Sequence, residues 1–476
     1  MCRLATASPG QTWRERVRAP AQAAQRSTRA NTAPGSPVWI SHAAAAHGDL
    51  FVSWKFLAIY VLLVIWTPIW VMRPLPPLRL DDIWLALTLM NSVLFVDRQS
   101  IKRPGLPFYS FLLLGFVLFF STFQSSVSSY YRVTMADVFD SLVFVRLAFV
   151  YLISSRINLD TKSIHRIAVV AIVSTLAMAV LMYYQAHGIA PIADMSLRIW
   201  SSGDKYVQRL LPGSVPRAIG TIGNPNYVGL FLVTTLLLSI AMVYRSSKWW
   251  LAGCIVAFTM VYAGVFLTAS RTTMTAMAGC SAMLIALLAR SAKQRGYTLL
   301  CVSAVCLAVW LDVSIVGIPT RVIDYTDALL SGQSLPGAQS RLDLWIPALR
   351  TLWDSGRILL GLGAEARTID SGFLFILYRQ GLLGLIAVIA IWAWALARAA
   401  RGILGRASTP NARYVCSVLL ALLVSFLVLE VTAQALFYSK TGPVIALTIG
   451  IAARAYDLWG TSAAQPNPER PGESLS

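Results

Sequence analysis

Charge is scarce in this chain. Asp, Glu, Lys and Arg together make up 13% of its 476 residues, against 57% hydrophobic ones, and the mean hydropathy is +0.63. A soluble domain carries about twice that share of charge, so the composition excludes one and indicates a polytopic membrane protein. Acidic residues are the scarcer sign, 21 against 40 basic ones. In a soluble domain that surplus would suggest nucleic acid. Here the basic residues fall in short turns between apolar runs, as membrane topology demands, and no nucleic-acid partner is expected. Histidine is nearly missing, with only His42, His47, His165 and His187. Of six cysteines, Cys254, Cys280, Cys301, Cys306 and Cys416 lie inside apolar runs, where cysteine behaves as a small hydrophobe. Neither a disulfide framework nor a zinc spacing is present, and no cofactor or metal is expected.

What is abundant is apolar run. Residues 1–50 are rich in Ala, Arg, Ser, Pro and Gln without a hydrophobic period, so they are expected to be a disordered cytoplasmic segment. No short apolar stretch with a cleavage site stands near the start, and no signal peptide is expected. From there a spanning helix needs roughly 20 mainly apolar residues, which predicts an all-α bundle of about twelve transmembrane helices in residues 51–456. They centre on Trp54–Met72, Asp82–Val96, Leu106–Phe123, Asp137–Ile153, Ile164–Tyr184, Tyr227–Tyr244, Trp249–Thr268, Thr272–Leu288, Tyr297–Val316, Gly372–Ala397, Tyr414–Ala435 and Pro443–Tyr456. A polar tail, 457–476, closes the chain.

Alternate turns carry the basic residues. With a cytoplasmic N-terminus the inner turns hold Arg98, Lys102 and Arg103; Arg156, Lys162 and Arg166; Arg245 and Lys248; Arg290, Lys293 and Arg295; and Arg398, Arg401, Arg406 and Arg413. That is the positive-inside pattern. The two long loops, His187–Asn224 and Ile318–Ser371, then lie outside. Topology does not need their arginines, which therefore call for another explanation.

Three polar islands face that outer side. The first ends Arg217-Ala218-Ile219-Gly220-Thr221-Ile222-Gly223-Asn224-Pro225-Asn226-Tyr227. It also reads as a glycine turn and a helix start, with asparagine capping and proline at the first helical position. The second is Thr268-Ala269-Ser270-Arg271-Thr272-Thr273, a tight turn whose arginine also reads as a side chain snorkelling to the headgroups. The third opens the large loop: Ser340-Arg341-Leu342-Asp343 matches a capping box. After it Leu342, Trp345, Ile346, Leu349, Leu352 and Trp353 share one helical face, as in a helix lying in the membrane interface. Arg350 and Asp354 form an i,i+4 pair. The loop continues through Gly361-Leu362-Gly363 to Asp370-Ser371-Gly372 at the lip of the next span. Inside the spans, Asp140, Arg146 and Glu430 are ionisable groups at costly depth, expected to face a cavity. Asp140 and Arg146 are six apart and do not share a face.

These motifs carry a resemblance. Gly223-Asn224-Pro225-Asn226 opening a helix, Thr268-Ala269-Ser270-Arg271 at an outer turn, Ser340-Arg341 with Trp345, and Asp370-Ser371-Gly372-Phe373 leading into Gly381-Leu382-Leu383-Gly384 resemble the O-antigen ligase and Wzy-type polysaccharide polymerase superfamily over roughly 137–456. The resemblance implies a metal-independent inner-membrane glycosyltransferase of the GT-C kind. It would move glycan from an undecaprenyl-pyrophosphate carrier to an acceptor glycan on the periplasmic face, with a chain-length regulator and a flippase of the same pathway as further partners. Arg217, Arg271 and Arg341 would hold the pyrophosphate, since guanidinium groups neutralise a leaving phosphate bidentately and keep their charge. Asn224 and Asn226 would border the same substrate site. Where the ligase branch has a histidine, this sequence has Asp370, with Glu365 just before. That inclines the reading to the polymerase branch and makes the two carboxylates candidates for the base that activates the acceptor hydroxyl. Asp370 also reads as a helix N-cap. The alternatives are a glycan ligase acting on lipid A-core and, from another class, a lipid-linked glycan flippase; transporters usually show an internal repeat, and none is evident.

Overall fold

The structure is a computed structural model that describes residues 53–68, 79–95, 103–128, 132–157, 160–200, 217–245, 249–268, 270–289, 338–366, 369–405 and 410–459. Its regular elements are all helical: α1 (Trp54–Trp66), α2 (Leu80–Phe95), α3 (Leu106–Ser128), α4 (Met135–Arg156), α5 (Thr161–Ala186), α6 (Ile192–Trp200), α7 (Pro225–Arg245), α8 (Trp250–Tyr262) with a π-turn at Ala263–Leu267, α9 (Arg271–Leu288), α10 (Ala338–Asp354), a 3₁₀ turn at Gly363–Glu365, α11 (Gly372–Leu404), α12 (Pro410–Thr432) and α13 (Thr441–Trp459).

Seven of these are long and apolar enough to cross a membrane: α3, α4, α5, α7, α8 extended through the π-turn, α11 and α12. In lipid every backbone N–H and C=O must be satisfied within its segment, which apolar helices of this length achieve. Seven of the twelve expected spans coincide with them. α1 and α9 are shorter apolar helices. The second and last expected spans are the helices α2 and α13, and Tyr297–Val316 lies outside the described residues, as do 1–50. The tail expected from 457 starts later, because α13 runs on to Trp459 and Asp457 pairs with Arg398 at 2.7 Å.

Local sequence explains the helix starts. Thr134 and Asp137 form a full capping box on α4, Asp160 accepts from the Ser163 amide ahead of α5, and Ser270 accepts from Thr273 ahead of α9. Asn224 Oδ1 takes the Asn226 amide at 2.9 Å with Pro225 as the first residue of α7, as the sequence suggests. In the core, α4 packs on α13 and α3, α3 on α11, and α12 on α11, α9, α7 and α13. The His187–Asn224 loop holds an unforeseen helix, α6, docked on α5.

The large loop differs from expectation in three respects. Ser340 lies within α10, which begins at Ala338, so it does not cap that helix. Arg350 and Asp354 are both exposed and form no ion pair. The face that packs on the protein is Trp345, Ala348 and Leu352, which joins Leu362, Ile369, Phe375 and Tyr378 in a small satellite core. Leu342, Ile346, Leu349 and Trp353 stay exposed, Trp353 at 73%. One apolar stripe therefore became two, because Trp345 and Leu352 turn towards α11 while the others turn away.

Candidate functional site

The short turn between α12 and α13, residues 433–440, ties the polar islands together. Its shape comes from inside: Glu430, fully buried near the end of α12, accepts the Leu436 amide on Oε2 at 2.8 Å, and Thr441 bonds back to the Ala435 carbonyl. From this turn Tyr438 donates to the Ile222 carbonyl and Lys440 to that of Thr221. Lys440 also donates to the Ile65 carbonyl at 3.3 Å. Gln434 donates to the Ile369 carbonyl, just before Asp370. The Tyr438 ring stacks on Tyr227, with centroids 4.0 Å apart.

The glycine island is held on its other side as well. Gln185 Oε1 accepts from the amides of Ile219 and Gly220 at 3.0 and 2.9 Å. Gly223 has φ +87, and a Cβ there would lie 2.6 Å from the Trp200 carbonyl oxygen. Only glycine meets both demands. Arg217, half-buried, donates Nε to the Thr268 carbonyl at 2.8 Å and Nη2 to Asn226 Oδ1 at 3.1 Å, and the Ala218 amide bonds to Leu267 at 2.7 Å. The first and second islands are therefore one assembly, with Arg271 three residues past the carbonyl that Arg217 holds.

Arg271 opens α9 and Glu365 closes the 3₁₀ turn; their side chains lie outside the described set. Arg341 is half-buried on α10, and no described contact joins it to Arg217. Asp370 is exposed and is not the cap of α11: Ser371 occupies that position, without a side-chain cap bond. Of the expected set, Arg217, Asn224 and Asn226 converge directly, and Asp370 follows Ile369, whose carbonyl Gln434 holds.

A second structure supports the lip. At Gly381 (φ +65, ψ −164) α11 breaks, and the loop after α10 inserts there. The carbonyls of Ile358 and Leu359 accept from the amides of Leu382 and Leu383 at 2.8 and 3.2 Å, while the Leu362 amide returns to Tyr378 at 2.9 Å. The loop thus satisfies the groups that the break would orphan. Gly361 packs so closely that a Cβ would sit 2.5 Å from the Gln380 nitrogen. Ser125 on α3 donates to the Leu362 carbonyl at 2.7 Å.

The charges inside the helices have partners that the sequence did not reveal. Asp140, 50% exposed, pairs with Arg379 at 2.6 Å, and Arg379 lies over Phe375 and Phe437. Arg146 pairs with Asp81 and, at 2.8 Å, with Asp82; Asp81 is also bonded by Arg79 at 2.8 Å. This buried network stands in place of the cavity wall expected from Arg146. The sequence does not point to Tyr438 or Lys440: both sit in the short stretch between two apolar runs, where an isolated lysine is the only signal.

Among the described residues no three His, Cys, Asp or Glu side chains converge as metal ligands. No protein-family model matches the chain, and no curated protein matches it.

Proposed function

We propose that this chain is a polymerase of a bacterial surface polysaccharide, a multi-pass inner-membrane protein of about twelve spans with its active site on the periplasmic face. It takes glycan from an undecaprenyl-pyrophosphate carrier and joins it to a lipid-linked acceptor sugar. The observation that carries the reading is the Arg217 guanidinium, which holds the glycine island against the turn that leads to Arg271, while Tyr438 and Gln434 tie that island to the residue before Asp370. Transfer from a pyrophosphate requires cationic donors and a base; in this reading Arg217, the neighbouring Arg271, and Arg341 supply the first and Asp370 the second.

In the proposed step an acceptor hydroxyl attacks the anomeric carbon while Asp370 takes its proton. The bond from that carbon to the pyrophosphate oxygen breaks, and the pyrophosphate leaves on its lipid with charge that Arg217, Arg271 and Arg341 offset. Asn224 and Asn226 shape the loop on which the pyrophosphate rests.

The test is reconstitution of the purified chain in lipid with a carrier-linked repeat unit. A ladder of glycan lengths on the carrier supports polymerisation. A single transfer to lipid A-core would make the protein a ligase, and movement of the substrate across the bilayer without a new bond would make it a flippase.

A further inference from the structure

Between α1, α5, α7, α12 and α13 lies a narrow apolar cleft of about 130 Å³. Its walls are side chains such as Val61, Phe231, Leu419 and Leu447. Three of its threonine hydroxyls bond back to their own helices: Thr175 to Ala171 at 2.9 Å, Thr234 to Leu230 at 2.7 Å and Thr448 to Val444 at 2.8 Å. Thr235 adds a hydroxyl without a partner. A water molecule needs two to four polar partners, so these walls do not suit it. Left empty, they would lose dispersion contacts on every side. A hydrocarbon chain fits that description.

The cleft also has a charged end. It runs from His165, Arg245 and Tyr414 to Ile65, Phe231 and Val444. Along α7, Phe231 to Arg245 is roughly 20 Å at 1.5 Å per residue, comparable with one leaflet of a hydrocarbon core about 30 Å thick. At its mouth the Arg245 guanidinium lies 5.4 Å above the Tyr414 ring. That ring is fixed by its hydroxyl, which donates to the Ala241 carbonyl at 2.7 Å. Arg245 is exposed and pairs with no described carboxylate, and Arg166 stands one residue beyond His165, over Trp54 at 5.1 Å. An apolar slot with a cationic lip is complementary to a lipid with an anionic headgroup.

We infer that this cleft binds an anionic glycerophospholipid, with one acyl chain between α5, α7 and α12 and the phosphate at Arg245 and His165. The site is separate from the Arg217 assembly and does not depend on the proposed transferase activity.

The full chain, purified in mild detergent, would be examined by native mass spectrometry, first as isolated and then after exchange with phosphatidylglycerol or phosphatidylcholine. Near-stoichiometric phosphatidylglycerol, held in preference to phosphatidylcholine, is expected. Arg245→Gln should weaken its retention about fivefold, the effect of one basic group at an anionic headgroup, whereas Arg245→Lys should keep it. Ala171→Phe, which fills the cleft, should abolish retention of either lipid. If Ala171→Phe loses its monodisperse elution profile, the Arg245 pair decides. Equal retention of both lipids, retention of a polyisoprenyl phosphate instead, or wild-type retention by Arg245→Gln would overturn the inference.

Discussion

Gly372, the first residue of α11, lies directly against the carboxylate of Glu430: a Cβ at Gly372 would land on Oε1, the oxygen that has no hydrogen-bond partner. Through this contact the lip that bears Asp370 is packed against the group that shapes the 433–440 turn.

Gly372→Ala should therefore push Glu430 off the Leu436 amide. Overpacking of this kind costs about 1–3 kcal/mol, read as a lower melting temperature of the detergent-solubilised protein. Glu430→Gln keeps an acceptor for Leu436 and should melt near wild type. Glu430→Ala orphans that amide and should cost about 1–3 kcal/mol.

Asp370→Asn separates a base from a structural residue. Because Ser371, not Asp370, caps α11, the amide should leave the melting temperature unchanged. Chain growth in the reconstituted assay should fall on the order of 10²-fold, the usual worth of a positioned base. Full activity in Asp370→Asn with loss in Glu365→Gln would move the role to Glu365.

Lysine at the three arginines retains charge but not the planar fork. Arg217→Lys should be the most severe, since Nε and Nη2 each hold a different partner. Arg271→Lys and Arg341→Lys should cut polymer length and yield while membrane abundance holds. Near-normal polymer from all three lysine variants would remove the pyrophosphate role.

Burial and the neighbouring Arg79 push the Lys440 ammonium down to about 7 from its ordinary 10.5. Between those values the unfolded chain binds more protons than the folded one, so stability should rise with pH from about 7 towards 10 and be flat, for this group, below 7. Melting curves across that range should show the slope in wild type and lose it in Lys440→Met.

Orientation can be read with single cysteines in a cysteine-free chain. Gly203→Cys and Gly332→Cys should react with a membrane-impermeant thiol reagent added outside. The inner reporter should be Leu404→Cys, 81% exposed, and it should stay unlabelled. Gly402 is unsuitable, because it is buried against α12 and a side chain there would press on the Cβ of residue 416. Labelling of position 404 with protection of 332 would invert the topology and with it the proposed site.

The sequence by itself determined the class and most of the helices, because both follow from local chemistry. Apolar runs of spanning length, the Asn224-Pro225 start and the glycine turn at 361–363 each report on neighbours along the chain. Only the tertiary structure decided which polar groups meet. Asp140 finds Arg379 across 239 residues, and Lys440 finds Thr221 across 219. The break at Gly381 is filled by the carbonyls of Ile358 and Leu359, each 24 residues before the amide it accepts, and no local signal announces it. In an apolar bundle a buried group such as Lys440 or Arg379 must take a partner, and nothing in the spacing along the chain says which one.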